Sequence, residues 1–218
     1  MLKKLMASAA LAVLATAASA APVELFFDNF NSNTASPNAT PAGWSVTRGA
    51  VDIVGPGYFP AICAAGEEDC IDLDGSGNGS AGRLVTNTAF SLVSGVQYTL
   101  SFDYSWNWHQ QGTPNTMTFG VGGFSSSLTT NGTRVANVHA PYTPLSFSFV
   151  GNGSSGAIFF DHQGYDFGGI VIDNVRLMGE ETDNTGNNGG GAPAVPLPAG
   201  LPLLLSGFGL AALIRRRG

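Results

Sequence analysis

The chain has 218 residues, of which 44% are hydrophobic and 11% are charged, and its net charge is −6. Five of its nine basic residues lie at the two ends, whereas all fifteen carboxylates lie between Glu24 and Asp183. The part between the ends therefore has four arginines, no lysine and a net charge of −11. Such a surface repels phosphate backbones, which argues against nucleic acid as a partner. It suits cations such as calcium, or serves only to keep the chain soluble.

The first 20 residues have the layout of a secretory signal peptide. Lys3 and Lys4 precede an apolar run from Leu5 to Ala18, and small residues follow before Ala21. The apolar run is shorter than the roughly 20 residues that a membrane-spanning helix needs. We expect residues 1–20 to be removed during export, so that the mature chain begins near Ala21.

Residues 21–178 are predicted to form one all-β domain, a jelly-roll-like β-sandwich. Short alternations of apolar and polar residues are separated by turn clusters of Gly, Ser, Thr and Asn, and helical periodicity is missing outside the terminal segments. About nine strands in this length suit a single domain. The predicted strands are Val23–Phe27, Trp44–Val54, Ile71–Asp74, Gly82–Phe90, Gln97–Trp106, Thr116–Val121, Leu145–Val150, Ala157–Asp161 and Gly169–Met178.

Cys63 and Cys70 are the only cysteines in the chain. An even number in an exported chain predicts a disulfide, which here closes a short acidic loop. Two cysteines make a poor zinc site, and no histidine lies near either of them in the sequence. We therefore expect a structural bridge and no functional thiol.

A glycine-rich segment follows the third predicted strand. Its aspartates, Asp72 and Asp74, occupy alternate positions as in a calcium loop, but Arg83 stands where an EF-hand requires a bidentate glutamate. An EF-hand is excluded for this reason. We interpret the segment as a turn, from which either aspartate could contribute an oxygen to a site formed elsewhere.

Aromatic residues alternate along the strand that ends at Trp106. Phe102 and Tyr104 continue the parity of Leu100, so we expect them to face the core. Trp106 and its successor Trp108 precede a polar, turn-forming segment. For these two the sequence leaves two alternatives open, a position at the core rim or an exposed platform on which sugar rings stack.

The candidate glycan-binding residues are Trp106, Trp108 and His109.

The last predicted strand places a carboxylate among apolar residues. Val171, Asp173, Val175 and Leu177 share one parity, which predicts an inward-facing Asp173. An ionised carboxylate in a core needs a cation or several backbone donors, because leaving it unpaired costs several kcal/mol. The sequence leaves both alternatives open.

The end of the chain has three ordered elements. A glycine- and asparagine-rich linker, residues 179–194, precedes Val195-Pro196-Leu197-Pro198-Ala199, and an apolar run then ends at Arg215, Arg216 and Arg217. The segment from residue 195 is just long enough to cross a bilayer, and its arginines are expected to stay cytoplasmic. A plain membrane anchor is the alternative, although the prolines favour an extended recognition segment over a helix interior.

Residues 195–218 resemble the PEP-CTERM family of bacterial C-terminal sorting signals in its VPLPA variant. The resemblance implies recognition and cleavage by an exosortase-type membrane protease. The chain would pass through an inner-membrane intermediate and finish at the cell surface or in the extracellular space.

The body resembles PEP-CTERM-associated domains related to carbohydrate-binding jelly rolls. The similar segments occur in the same order and are Asp28-Asn29-Phe30, Pro41-Ala42-Gly43-Trp44, Ile71-Asp72-Leu73-Asp74-Gly75, Tyr98-Thr99-Leu100-Ser101-Phe102-Asp103 and Ile172-Asp173-Asn174-Val175-Arg176-Leu177. The resemblance implies a sandwich used for glycan contact and stabilised by calcium. The matching positions for a structural calcium are Glu24, Asp28 and Asp173.

No catalytic residues are assigned. The three histidines are far apart in the sequence, and neither a Gly-x-Ser-x-Gly elbow nor a His-Glu-x-x-His motif occurs. A glycosidase pair of Asp161 with Asp166 or Asp103 is the remaining enzymatic alternative. We expect a non-catalytic exported module that contacts extracellular polysaccharide, or else a structural surface protein without a specific ligand.

Overall fold

A computed structural model describes residues 22–59, 62–63, 69–77, 81–107, 114–130, 141–164 and 168–180, all within one compact unit, Pro22–Thr182. The described residues form eleven β-strands and no helix, which confirms the predicted all-β class for this part of the chain. Segments 1–20 and 195–218 lie outside the described residues. Over the described ranges, no helix combines the length and apolarity that a bilayer crossing requires.

The first sheet has six antiparallel strands. They are β1 (Pro22–Asp28), β3 (Asp52–Val54), β4 (Cys70–Asp72), β6 (Gln97–Trp106), β9 (Thr143–Val150) and β11 (Ile170–Glu180). β11 is central: β6 borders one side, while β4 and β1 share the other side, β4 at its beginning and β1 along the remainder. β11 continues to Glu180, two residues beyond the predicted end of the domain.

The second sheet has five antiparallel strands in the order β2-β5-β10-β7-β8. They are β2 (Trp44–Arg48), β5 (Arg83–Leu92), β10 (Ser154–Gln163), β7 (Asn115–Val121) and β8 (Phe124–Thr130). β8 is missing from the predicted strands, because its serine-rich sequence has few of the branched and aromatic residues that favour strands. It forms because the tight turn at Gly122 (φ 57°) folds it back along β7.

The core lies between the two sheets. Phe102 on β6 has its ring centroid 4.9 Å from that of Phe119 on β7 and 5.0 Å from that of Phe160 on β10. All three rings are buried, as is Leu100, while Tyr104 is half-buried and packs against the same core. The inward parity predicted for β6 is therefore confirmed, and the contacts show that the sheets pack face to face.

The predicted strand Trp44–Val54 is wrong, because the structure divides it between the two sheets. β2 pairs with β5 in the second sheet, whereas β3 pairs with β4 in the first. Gly49 lies between them with φ 60°, a left-handed conformation that favours glycine and turns the chain from one sheet toward the other.

A small second cluster covers part of the outer face of the first sheet. A disulfide joins Cys63 to Cys70, as the paired cysteines predict. Both pack with Val54, Ile62 and Val171 in a buried cluster that is separate from the main core. The disulfide therefore holds the chain after β3 against the back of β4 and β11.

The predicted parity of the last strand is wrong, because β11 contains a bulge between Asp173 and Arg176. Asn174 has φ 51°, and the bulge exchanges the two faces of the strand. Ile170 and Ile172 face the main core before the bulge, and Val175 and Leu177 face it afterwards. Asp173 is buried, as predicted, but it shares the parity of Val171, on the opposite side of the sheet from the main core.

Candidate functional site

The predicted glycan-binding residues fall largely outside the described part of the chain. Trp108 and His109 are not described. Trp106 is half-buried at the end of β6, paired with Ile170, on the side of the strand that carries Leu100 and Phe102. Its position at the edge of the buried side favours the core-rim alternative for this residue.

A groove of about 360 Å³ crosses the outer face of the first sheet. We call it the outer groove. It is lined by Phe27, Ser101, Phe102, Asp103, Pro144, Leu145, Ser146, Asn174 and Arg176. These residues come from β1, β11, β6 and β9, four strands that lie side by side.

Strand register brings the groove residues into one row. Phe27 is paired with Arg176, Arg176 with Ser101, and Ser101 with Ser146. Neighbouring strands are about 4.8 Å apart, so the row extends over roughly 14 Å. An extended ligand lying across the strands would contact all four of them.

Phe27 provides an exposed aromatic surface at one end of the row. Its exposed fraction is 42%, and the guanidinium carbon of Arg176 lies 4.6 Å from the centroid of its ring. Nη1 of Arg176 also lies 2.5 Å from Oε2 of Glu24. The arginine is therefore held between a carboxylate and an aromatic face, and its charge is compensated within the protein.

Asp103 and Asn174 form the polar part of the groove. Nδ2 of Asn174 donates a hydrogen bond to Oδ2 of Asp103 at 3.1 Å. The β11 bulge makes this contact possible, because the shift of parity places both Asn174 and Arg176 on the outer face. The groove thus combines an aromatic ring, an amide, a carboxylate and two serines.

The three residues predicted to bind calcium have separate protein partners. Glu24 pairs with Arg176, and Oδ2 of Asp28 accepts a hydrogen bond from Nε1 of Trp44 at 2.7 Å. Oδ1 of Asp173 accepts one from the backbone N of Asn174 at 2.6 Å. Within the described ranges, no group of three or more His, Cys, Asp or Glu side chains is arranged to hold a metal ion. Structural calcium stays a prediction.

Two buried carboxylates connect the turns beside β3 and β4. Asp72 accepts hydrogen bonds from the backbone N of Asp74 and of Gly169, both at 3.0 Å, and from Nδ2 of Asn107 at 2.5 Å. Asp52, paired with Asp72 in the sheet, accepts from the backbone N of Asn38 at 2.8 Å and from Ser76. These carboxylates hold turns together, which agrees with the interpretation of the glycine-rich segment as a turn.

The pKa of Asp72 is raised to about 7, mainly by burial and in addition by the neighbouring carboxylates of Asp52 and Asp74. The hydrogen bonds from the Asp74 backbone and from Asn107 oppose this increase. The side chain therefore exchanges its proton near neutral pH, which connects the protonation of Asp72 to the stability of the fold.

The aspartates proposed as a glycosidase pair are separated. Asp103 lies on the outer face of the first sheet, whereas Asp161 on β10 lies on the outer face of the second, because it alternates with the buried Phe160. Asp161 is bound there by Arg48 at 2.6 Å and faces Arg83 at 3.7 Å. Asp161 and Asp103 therefore cannot act as a pair, and Asp166 lies outside the described residues.

A second groove, of about 410 Å³, has no charged or aromatic side chain among its described lining residues. Its lining residues are Asn38, Ala39, Thr40, Val46, Gly49, Ala50, Val51 and Gly77. Ligand sites combine aromatic or apolar surface with a few placed polar groups, and the outer groove fits this description better.

The outer groove is not evident from the sequence alone. Ser101 and Asp103 could have been found, because they alternate with the inward-facing aromatics of β6. Phe27 could not have been found in this way, because Leu25, Phe26 and Phe27 are consecutive apolar residues beside a bulge in β1. Only the pairing with β11 shows which of them faces outward.

No protein-family model matches the chain, and no curated protein matches it. Similar solved structures include the CBM22-1 xylan-binding domain of Paenibacillus barcinonensis Xyn10C, at 15% identity and a TM-score of 0.44, covering 76% of this chain and 99% of that one. An adhesin domain of Lys-gingipain from Porphyromonas gingivalis has 15% identity and a TM-score of 0.49, covering 72% and 99%. A Stig cyclase from Fischerella sp. TAU has 15% identity and a TM-score of 0.44, covering 75% and 100%.

Binding modules, adhesins and cyclases are all among these structures, and every TM-score given is below 0.5. The similarities therefore assign neither a ligand nor an activity to this chain. The class that its own fold and groove define is a two-sheet antiparallel β-protein with a polar and aromatic groove on one outer face.

Proposed function

We propose that this protein is an exported, non-catalytic glycan-contacting module with a jelly-roll-like fold, and that the outer groove contacts the glycan. The observation that carries the proposal is the exposed ring of Phe27 in one groove with a carboxylate, an amide and two serines. Sugars present apolar ring faces together with hydroxyl groups. An aromatic surface beside hydrogen-bonding groups complements both features.

Phe27→Ala should weaken binding to a retained polysaccharide about tenfold or more, because burying a phenyl ring against a ligand contributes roughly 1.5–3 kcal/mol. The measurement is affinity electrophoresis, followed by calorimetry, of the full-length protein in a sugar-free detergent. A panel of neutral and acidic polysaccharides supplies the ligands.

Phe59→Ala is the matched control, because Phe59 is 45% exposed and does not line the outer groove. We expect this variant to bind like the unmodified protein. Equal binding by Phe27→Ala would assign the ligand to another surface. A folded protein that no polysaccharide retains would instead favour the structural surface protein without a specific ligand.

We also propose export, recognition of Val195–Ala199 by an exosortase-type membrane protease, and a final location at the cell surface or outside the cell. The disulfide between Cys63 and Cys70 supports export, because such bonds persist in oxidising compartments. The net charge of −11 between the termini agrees with an extracellular, soluble body.

Deleting residues 195–218 should prevent retention at the inner membrane and leave the product soluble outside the cytoplasm. Fractionation with protease accessibility locates the product. Thiol labelling of Cys63 and Cys70 reports whether the disulfide has formed. Replacing Arg215 to Arg217 with alanine is a control that keeps the VPLPA motif. An intact cytoplasmic product with both cysteines reduced would contradict the proposal.

A further inference from the structure

We infer that the outer groove selects a neutral glycan, recognised through its hydroxyl groups, and discriminates against polysaccharides that carry carboxylates or sulfates. This inference rests on the proposed function and names the class of its ligand. Three observations carry it: the pairing of the described arginines, the carboxylate inside the groove and the hydroxyl groups along its row.

Each arginine in the described ranges already faces a carboxylate of the same protein. Arg48 and Arg83 both face Asp161, at 2.6 and 3.7 Å, and Arg176 lies 2.5 Å from Glu24. An acidic polysaccharide requires cations to compensate its charge as it leaves water. The charge of the groove's arginine is already compensated by Glu24, so it contributes no net positive charge to an acidic ligand.

The groove also contains an acid of its own. Asp103 lies beside Ser101 and Pro144, and its Oδ2 accepts the amide hydrogen bond from Asn174. With Glu24 and Arg176 compensating each other, Asp103 leaves the groove with a net negative charge. A ligand carboxylate would therefore meet a like charge, in a chain whose part between the terminal segments has a net charge of −11.

A neutral sugar can form hydrogen bonds with the same groups and is not repelled by their charge. Its hydroxyls can donate to the Asp103 carboxylate, and such charge-assisted hydrogen bonds are stronger than those between neutral groups. Ser101 and Ser146 can both donate and accept, so they suit a ligand whose hydroxyls do the same. The polar groups of the groove thus match a polyhydroxyl chain without a charge.

The decisive variant is Asp103→Asn, which keeps the shape of the side chain and an oxygen that can accept from Asn174. Asp161→Asn is its control, because it removes the same charge from the other sheet. The neutral probes are a glucan, a mannan and a galactan, and the acidic probe is polygalacturonate. Binding is measured with the full-length protein in a sugar-free detergent at low and at high salt.

We expect the unmodified protein to bind a neutral polymer with an affinity that 1 M salt leaves nearly unchanged, because high salt screens only charge-driven binding. Asp103→Asn should weaken this binding about tenfold, and Asp161→Asn should not. Retention of polygalacturonate alone, or tighter binding by Asp103→Asn, would overturn the inference and leave the proposed function standing. Retention of no polysaccharide would overturn both.

Discussion

Replacing Phe102 with alanine should lower the free energy of unfolding by about 3–5 kcal/mol, the usual cost of removing a large buried aromatic side chain. Phe102 is 2% exposed and meets Phe119 and Phe160 of the opposite sheet at ring-centroid distances of 4.9 and 5.0 Å. The substitution removes the contact between sheets and leaves a cavity. Urea unfolding followed by tryptophan fluorescence provides the measurement.

Phe59→Ala is the control for Phe102→Ala, because Phe59 is 45% exposed and its removal opens no cavity between the sheets. Phe102→Leu should have a smaller effect than alanine, and it provides a readable result if the alanine variant does not fold. A loss below about 1 kcal/mol for Phe102→Ala would show that the sheets do not depend on this contact.

Asp72→Asn should make the protein more stable at pH 8, and this advantage should shrink as the pH falls toward 4. The pKa of Asp72 is about 7 in the folded protein against an ordinary value of 3.8, so the folded state binds the proton more tightly. The carboxyl group therefore favours folding below about pH 4, and this contribution is lost as the pH rises through about 7. The difference in pKa corresponds to a few kcal/mol.

The measurement is the free energy of unfolding in urea at several pH values between 4 and 8, for the unmodified protein and for Asp72→Asn. Glu181→Gln, in the polar sequence that follows β11, corrects for the loss of one negative charge. A difference between Asp72→Asn and the unmodified protein that stays constant with pH, or grows toward pH 4, would contradict the buried carboxyl group as its source.

Local patterns predicted much of the fold. The alternation of Leu100, Phe102 and Tyr104 identified the buried side of β6, because a strand places successive side chains on opposite faces whatever its partners are. The pair Cys63 and Cys70 identified the disulfide, because no other cysteine competes for either partner. These features depend on residue type and spacing alone.

Features that depend on strand partners were not predicted. The turn at Gly49 divides one apparent strand between two sheets. The serine-rich β8 forms because it pairs with β7 along its whole length. The bulge at Asn174 exchanges the faces of β11, which made the predicted parity of Asp173 wrong. A register shift depends on the hydrogen bonds between two strands, so it cannot be predicted from the sequence of one strand alone.

The candidate site likewise depends on which strands pair, and this was not predicted from the sequence. Trp106 is a candidate from sequence because an exposed tryptophan can stack on sugar rings, yet it lies half-buried at the end of β6. The outer groove consists of inconspicuous residues, such as Ser101 and Ser146, from strands far apart in the chain. Their proximity follows from the pairing of β6 with β9 and with β11.

Composition and the alternation of side chains are local properties, so they were enough to predict an all-β, acidic body joined by a disulfide. That Phe27, Asp103 and Arg176 share a groove and that Asp161 lies elsewhere follows only from the folded arrangement of the strands. Register, bulges and the packing of two sheets arise between segments. They are set by hydrogen bonds and buried surface that no single segment possesses.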